Sequence, residues 1–136
     1  MLVADEGASD PIRELASELG VEFDDEAVLV RDHVSHHTGD HTVLTLGASQ
    51  IVPSLRNNEV VLGKSLAGKQ QISPVLYRGT AHRVTSSRVV SVLQGTFHAY
   101  TPSNSVQPLV GVPSLVSVMQ ARNNARVLLT GSLALF

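Results

Sequence analysis

The sequence has no cysteine and no tryptophan, and it has only three Phe and two Tyr in 136 residues. Without cysteine, the chain can form no disulfide, no thiolate metal site and no cysteine nucleophile. Because only 4% of the residues are aromatic while 43% are hydrophobic, the core has to be built mainly from Val, Leu, Ile and Ala. The length suits one domain with a core of its own.

Long hydrophobic runs are also absent. The longest apolar stretches, 109–119 and 125–136, are short and interrupted, whereas a membrane-spanning helix needs about 20 consecutive apolar residues. The first residues lack the basic segment and long apolar stretch of a signal peptide. Leu2-Val3-Ala4 is instead typical of the end of a strand, and the sequence stops within an apolar run at Phe136. We therefore expect a truncated domain over residues 1–136.

The two parts of the chain carry opposite charge. Residues 1–40 hold eleven of the twelve acidic residues and a net charge of −9, whereas residues 41–136 have a net charge of +7. Such parts attract each other or charged partners. The basic residues are nevertheless scattered, and the whole chain is slightly acidic, with a net charge of −2. We therefore expect no nucleic-acid partner.

The segment 9–20, SDPIRELASELG, carries the signals that begin and end a helix. Ser9 or Asp10 is a suitable N-cap, Pro11 suits the first helical position, and Gly20 is a typical stop. The apolar residues between them recur at helical spacing: Ile12, Leu15, Ala16 and Leu19. A helix is predicted here.

The remainder reads mainly as strands and loops. Residues 32–41 are predicted to form a polar loop, and residues 49–58 a loop or short helical turn interrupted by Pro53. Gly95 is predicted to join two extended runs as a hairpin. Pro74 either places its strand at a sheet edge or makes Ile72 and Ser73 a lead-in to the strand. The predicted strands are 27–31, 42–46, 59–65, 72–79, 88–93, 96–100, 114–120 and 125–131.

The last two strands are joined by ARNN at 121–124. Asparagine tolerates left-handed backbone angles, so Asn123 and Asn124 predict a tight turn between antiparallel strands. Residues 127–131, VLLTG, lack polar alternation, which favours burial on both faces of a sheet. The overall pattern predicts one helix near the start of the chain and a β-rich C-terminal half.

A histidine-rich segment is the strongest candidate for metal chemistry. Imidazole and carboxylate groups are ligands that zinc, nickel and copper accept. A site requires three or four of them to converge, however, and no HExxH spacing is present. We favour a polar surface loop and keep a metal-binding module as an alternative for Asp32, His33, His36, His37, Asp40 and His41.

Signs of catalysis are few. There is no GxSxG elbow, and His82 and His98 stand singly. An amidotransferase-like or serine hydrolase-like domain is therefore only an alternative, and we expect no cofactor. Three arginines near strand ends, Arg78, Arg122 and Arg126, could bind carboxylates bidentately. We interpret them, with Asn123 and Asn124, as structural or subunit-interface residues.

Several blocks of the sequence together resemble a known family. They run in order across nearly the whole chain: 9-SDPIRELASELGVEFDDE-26, 32-DH-33 followed by 41-HT-42, 63-GKS-65, 74-PVLYRG-79 and 119-MQARNNARVLLTGSL-133. The chain resembles the family of the 48 kDa subunit of oligosaccharyltransferase, a dolichyl-diphosphooligosaccharide–protein glycosyltransferase.

The resemblance implies a fragment of that family's lumenal N-terminal region. It implies an α/β fold with a partial open sheet, similar to class I glutamine amidotransferase domains but without their catalytic cysteine. It implies a non-catalytic scaffold and assembly role in the complex that N-glycosylates nascent proteins in the endoplasmic reticulum. The implied partners are the catalytic multispanning subunit and ribophorin-type subunits. Membrane association would come only through parts of the parent protein outside this chain.

Overall fold

The computed structural model describes residues 1–5, 8–24, 28–102 and 112–136. Their fold is mixed α/β and rich in strands. Two single turns of 3-10 helix, Ala48–Gln50 and Pro53–Leu55, lie in the segment predicted to be a loop or short helical turn. The remaining elements, in chain order, are β1 (Leu2–Val3), α1 (Asp10–Glu18), β2 (Val21–Phe23), β3 (His36–His37), β4 (Asp40–Leu46), α2 (Glu59–Leu62), β5 (Val75–Tyr77), β6 (His82–Val84), β7 (Val89–Gln94), β8 (Ser114–Gln120) and β9 (Arg126–Thr130).

The strands form two open sheets. In the larger sheet the strand order is β1-β9-β8-β6-β2, and β7 also pairs with β8. Only the β1–β9 pair is parallel among the described strands of this sheet. The smaller sheet has the order β3-β4-β5, so β5 is an edge strand, as Pro74 predicts. The predicted α/β class with a β-rich C-terminal half is confirmed at this level.

Helix α1 covers one face of the larger sheet, as its sequence predicts. Pro11 lies in its first turn, and Gly20, with φ of +92°, takes the left-handed angle that ends the chain's helical path. Ser9 occupies the N-cap, but its side chain makes no capping hydrogen bond. Ala16 is fully buried against the sheet. The hydrophobic cluster there consists of Ala4, Ala16, Val21, Phe23, Val89, Met119 and Leu129.

A second hydrophobic cluster joins the smaller sheet to the larger one. Leu44 and Tyr77 face each other across β4 and β5, and Leu115 belongs to β8 of the larger sheet. All three are completely buried. Their packing unites the two sheets in one core, whose members are Val30, Leu44, Leu46, Tyr77, Ala81, Ala99 and Leu115.

Two predicted strands are reduced to a single bridge. Ala27, the first residue of the strand predicted over 27–31, lies outside the described residues. Over the rest of that segment, Arg31 forms an isolated bridge with Tyr100, through backbone hydrogen bonds of 2.8 and 2.9 Å. The hairpin predicted around Gly95 is wrong, because β7 pairs instead with β8.

The prediction of a strand over 59–65 is also wrong. Residues 59–62 form the one-turn helix α2, and the carboxamide of Asn58 caps it by accepting hydrogen bonds from the amides of Val60 and Val61 at 3.0 and 3.2 Å. Gly63 then ends it with φ of +76°. The cap and the glycine outweigh the strand preference of two adjacent valines.

Two further details of the fold differ from prediction. The polar segment 32–41 folds as a β-hairpin, since β3 pairs with the beginning of β4 around Thr38 and Gly39.

Strand β9 is not buried on both faces throughout. Leu129 is fully buried, whereas Leu128 is half-buried on the opposite face. The larger sheet therefore has one face that is only partly covered.

Candidate functional site

Three of the four histidines predicted as possible metal ligands come together. The ring centroids of His33 and His41 are 4.6 Å apart, and those of His36 and His41 are 4.2 Å apart. His33 also stacks against Tyr100, with its Nε2 atom 2.7 Å from the tyrosine hydroxyl. The hairpin of β3 and β4 thus gathers three imidazoles at the surface.

The two aspartates of the segment are occupied with local hydrogen bonds. Buried Asp32 accepts bonds from the amides of Val34 and Ser35, at 2.7 and 2.9 Å, and from the Thr96 hydroxyl. Burial acts to raise the pKa of Asp32, but these hydrogen bonds outweigh it, so the pKa is lowered. The Asp40 carboxylate accepts hydrogen bonds from the hydroxyl and the amide of Thr42, and these bonds lower the pKa of Asp40.

These arrangements do not make a metal centre. Across residues 1–5, 8–24, 28–102 and 112–136, no three His, Asp or Glu side chains are placed so that they could hold one ion. The rings of His33 and His36 lie tilted against that of His41, and His33 stacks on Tyr100 with its Nε2 atom against the tyrosine hydroxyl. The metal-binding alternative therefore has no support in the geometry.

One serine–histidine pair has the spacing that a hydrolase would need. His82 Nε2 lies 2.7 Å from Ser117 Oγ. Both residues are inaccessible, at 1% and 0% exposure, and His82 Nδ1 has no hydrogen-bond partner in the described structure that could orient the ring. Burial lowers the pKa of His82 to about 4, so the ring is neutral. No substrate reaches this pair, and the hydrolase alternative has no support.

A buried polar junction connects the two sheets. The Tyr77 hydroxyl donates to the Thr80 carbonyl at 2.7 Å, and the Thr80 hydroxyl donates to the Ala4 carbonyl at 2.7 Å. Ser132 donates from its hydroxyl to the Arg78 carbonyl. Burial raises the pKa of Tyr77 far above its ordinary value, which keeps its hydroxyl protonated as a donor.

Two glycines allow the backbones to meet at this junction. The Thr80 amide donates to the Gly131 carbonyl at 2.8 Å. A methyl group at Gly131 would lie 2.0 Å from the Thr80 carbonyl oxygen, and one at Gly79 would lie 2.1 Å from the Gly131 oxygen. Sequence reasoning did not identify this junction, which is built in part by the tripeptides YRG at 77–79 and TGS at 130–132.

The five predicted interface residues occupy two places. Arg122, Asn123, Asn124 and Arg126 lie together at the exposed end of the β8–β9 hairpin. Arg78 follows β5, and its carbonyl is bonded to Ser132, beyond the opposite end of β9. Asn124 adopts φ of +61°, and the Asn123 carboxamide accepts the Ala125 amide at 3.1 Å, so the predicted asparagine turn is confirmed.

The partly covered face of the larger sheet forms an apolar groove with α2. We call it the sheet–helix groove, and its volume is about 580 Å³. No Asp or Glu is among its lining residues, which sequence reasoning did not group because they come together only through strand pairing. The residues that define it are Val60, Val61, Arg88, Val90, Val118, Arg126 and Leu128.

Comparison with known proteins identifies the family. The family model described as "OST48, N-terminal domain" matches residues 1–136, which is the whole chain. The chain belongs to the OST48 N-terminal domain family. Its relatives include dolichyl-diphosphooligosaccharide–protein glycosyltransferase 48 kDa subunits, to which it is 44% identical in Arabidopsis thaliana, 34% in Drosophila melanogaster and 31% in Caenorhabditis elegans. Each match covers the full chain and 32% of the relative's length.

The predicted family resemblance is thereby confirmed. This OST48 N-terminal domain chain spans about a third of the length of the curated relatives it matches. Within the described residues, none of the helices is both long and apolar enough to cross a membrane. Two blocks that carry the resemblance, 74–79 and 119–133, contribute Tyr77, Gly79 and Gly131 to the buried junction, so their place in this structure is architectural.

Proposed function

We propose that the chain is a non-catalytic structural module of an oligosaccharyltransferase 48 kDa subunit. The observation that carries the proposal is the match of the OST48 N-terminal domain family to every residue of the chain, together with relatives named as that subunit. In this role the module supports assembly of the complex that transfers oligosaccharide to nascent proteins. Its location is the lumenal side of the endoplasmic reticulum, in a parent protein anchored to that membrane.

The internal organisation of the chain is consistent with this role. Its most chemically suggestive pair, His82 and Ser117, is sealed inside the core, and its histidine-rich hairpin holds its aspartates in local hydrogen bonds. The parallel β1–β9 pair and the helix over one sheet face support a finer proposal, that the sheet is part of a class I glutamine amidotransferase-like fold extending beyond residues 1–136.

The exposed hairpin end supports contact with other subunits. Arg122 and Arg126 present guanidinium groups beside an asparagine turn, and guanidinium groups bind carboxylates in a bidentate manner. We infer that this hairpin end is a contact surface for other subunits of the complex, among which the catalytic multispanning and ribophorin-type subunits are the candidates. Arg78 contributes its backbone carbonyl to the buried polar junction, where the Ser132 hydroxyl donates to it.

Co-purification tests the proposal. The tagged protein would be isolated in mild detergent from the membranes of its source cells, and other oligosaccharyltransferase subunits quantified by mass spectrometry. We expect recovery in near-equal amounts, whereas an unrelated lumenal protein with the same tag should recover traces. Equal traces in both preparations would contradict the proposal.

A further inference from the structure

The carboxylate of Asp32 links two loops at the surface of the chain. Its Oδ1 atom accepts hydrogen bonds from the amides of Val34 and Ser35 at 2.7 and 2.9 Å, and its Oδ2 atom accepts one from the Thr96 hydroxyl. Asp32 itself is fully buried. Because a buried carboxylate is costly unless it is hydrogen-bonded, these bonds hold the segment before β3 and the segment after β7 in one relative position.

Both loops carry an exposed apolar side chain beside this link. Val34 is 65% exposed, and Phe97, the neighbour of Thr96, is 78% exposed. The Thr96 hydroxyl also accepts a hydrogen bond from the His98 amide at 3.1 Å, so the turn that carries Phe97 is bonded on both sides of that residue. Binding through a preorganised side chain costs less conformational entropy than binding through a mobile one. Phe97 is therefore a suitable anchor for a partner.

Aromatic rings and one cation lie beside these apolar residues. The rings of His33 and Tyr100 stack, with their centroids 5.5 Å apart. Arg31 is the bridge partner of Tyr100, and residues directly opposite each other in an antiparallel pair have their side chains on the same face. Within the described part of the chain, the Arg31 guanidinium has no hydrogen-bond or ion-pair partner. We call this region the Asp32 surface, and it consists of Arg31, His33, Val34, His41, Phe97 and Tyr100.

The composition of the Asp32 surface is typical of a protein–protein interface. Relative to the rest of a protein's surface, interfaces are enriched in aromatic residues and Arg and depleted of Lys and Glu. The segments 31–42 and 96–100, which build the Asp32 surface, contain no Lys and no Glu. Exposed Glu residues lie instead on α1 and α2, and exposed Lys residues follow α2. The class of partner that fits is therefore a protein.

The side chains of the surface specify the partner further. A projecting aromatic side chain such as Phe97 needs a recess with an apolar lining, because the aromatic anchors of interfaces fill well-packed pockets. The guanidinium of Arg31 needs a carboxylate, which it can bind bidentately. The Asp40 carboxylate of the same hairpin is engaged with Thr42. The fitting partner thus presents an apolar pocket with Asp or Glu at its rim.

The Asp32 surface lies at the other end of β8 from the hairpin end. The Gly95 amide, next to Thr96, donates to the Pro113 carbonyl at 2.8 Å, immediately before β8 begins. The turn that contains Arg122 follows the last residue of β8. The seven residues of β8, at about 3.3 Å each, separate the two places by roughly 23 Å. The two surfaces are therefore separate contacts.

We propose that the Asp32 surface binds another subunit of the oligosaccharyltransferase complex, whose apolar pocket receives Phe97 and whose carboxylate meets Arg31. This inference rests on the proposed function, because it takes the partner from the same complex. It adds a second contact surface to the one at the hairpin end.

Site-specific photo-crosslinking in the full-length protein, within the membranes of its source cells, tests the inference. The photoreactive residue p-benzoylphenylalanine would replace Phe97 or, in a second variant, Val34. Leu15 on α1, which is 46% exposed, provides the control position. We expect both positions on the Asp32 surface to crosslink to one and the same other subunit, several-fold above the control. The crosslinked peptide should contain apolar residues together with Asp or Glu.

Substitutions provide a second arm. Phe97→Ala should lower the recovery of the crosslinked subunit several-fold, whereas Phe97→Leu, which keeps an apolar side chain, should retain most of it. Arg31→Glu should lower that recovery as well, and Lys69→Glu, at an exposed cation elsewhere, should leave it unchanged. Crosslinks only within the polypeptide, to a second copy or to lipid would overturn the inference, as would yields no higher than at Leu15.

Failure of this inference is distinct from failure of the proposed function. The crosslinks are measured in preparations that contain the other subunits in near-equal amounts, so their absence there overturns the inference while the proposed function stands. Preparations that lack the other subunits altogether would contradict the proposed function and this inference with it.

Discussion

Single residues determine how closely the two sheets approach, and Gly131 is the clearest case. A methyl group there would lie 2.0 Å from the Thr80 carbonyl oxygen, which is fixed backbone. We predict that Gly131→Ala lowers the free energy of unfolding by about 1–3 kcal/mol, the range for overpacking a tight site. Gly47→Ala is the matched control, because a methyl group at Gly47 would lie 3.8 Å from its nearest neighbour, the Gln50 side-chain oxygen. Equal urea midpoints for the two variants would refute the close approach.

His82 should make stability depend on pH. Its folded pKa is about 4, below the ordinary value of 6.5, so the unfolded chain takes up a proton first. The contribution of the neutral His82 ring to the free energy of unfolding is complete above pH 6.5 and is lost as the pH falls toward 4. The loss should approach about 3 kcal/mol. Urea titrations at several pH values would show a steeper decline for the unaltered protein than for His82→Gln, and parallel curves would contradict the assignment.

Secondary-structure elements were predictable where their own sequence contains the signals that begin them, the spacing of apolar residues that is typical of them, and the residues that end them. Helix α1 has all three, and β8 and β9 flank an asparagine turn that is recognisable locally. Helix α2 was missed because two β-branched valines favour a strand, and a single Asn58 side chain reverses that preference. Strand β6, with only three residues, was missed because long-range pairing with β2 defines it.

The β8–β9 turn depends on one left-handed residue. Asn124 has φ of +61°, an angle that glycine adopts freely and a β-branched residue adopts at a cost of about 1–2 kcal/mol. We predict that Asn124→Val lowers stability by that amount, whereas Asn124→Gly leaves it nearly unchanged. Thermal unfolding of both variants checks this, and equal losses would show that the asparagine carboxamide, rather than the backbone angle, matters.

For the whole molecule, the sequence predicted the fold class and the family but not the location of the groove. The residues of the groove come from α2, β7, β8 and β9 and from the turn before β7, and strand pairing brings them together. The polar junction escaped prediction for the same reason, since Ala4 and Gly131 are far in the chain from Tyr77 and Thr80. The histidine-rich segment shows the converse, because close sequence spacing brought imidazole rings into tilted contact but formed no group that could hold a metal ion among the described residues.

The proposed contacts with other oligosaccharyltransferase subunits should depend on the hairpin end. Arg122 is exposed in the β8–β9 turn, so Arg122→Ala should reduce recovery of other oligosaccharyltransferase subunits without changing the unfolding temperature. Lys64→Ala, an exposed cation elsewhere, should change neither. If Arg122→Ala also left subunit recovery unchanged, the hairpin end would not be a contact surface.

The central claim is that the chain contributes architecture rather than catalysis. Its most direct test is the glycosylation-site occupancy of a reporter protein, measured per assembled complex, in cells where the protein is replaced by its Ser117→Ala variant. Ser117 belongs to the one hydrolase-like pair in the described structure. The account predicts unchanged occupancy per complex, even if the amount of complex falls. A loss of occupancy with the amount of complex unchanged would contradict it.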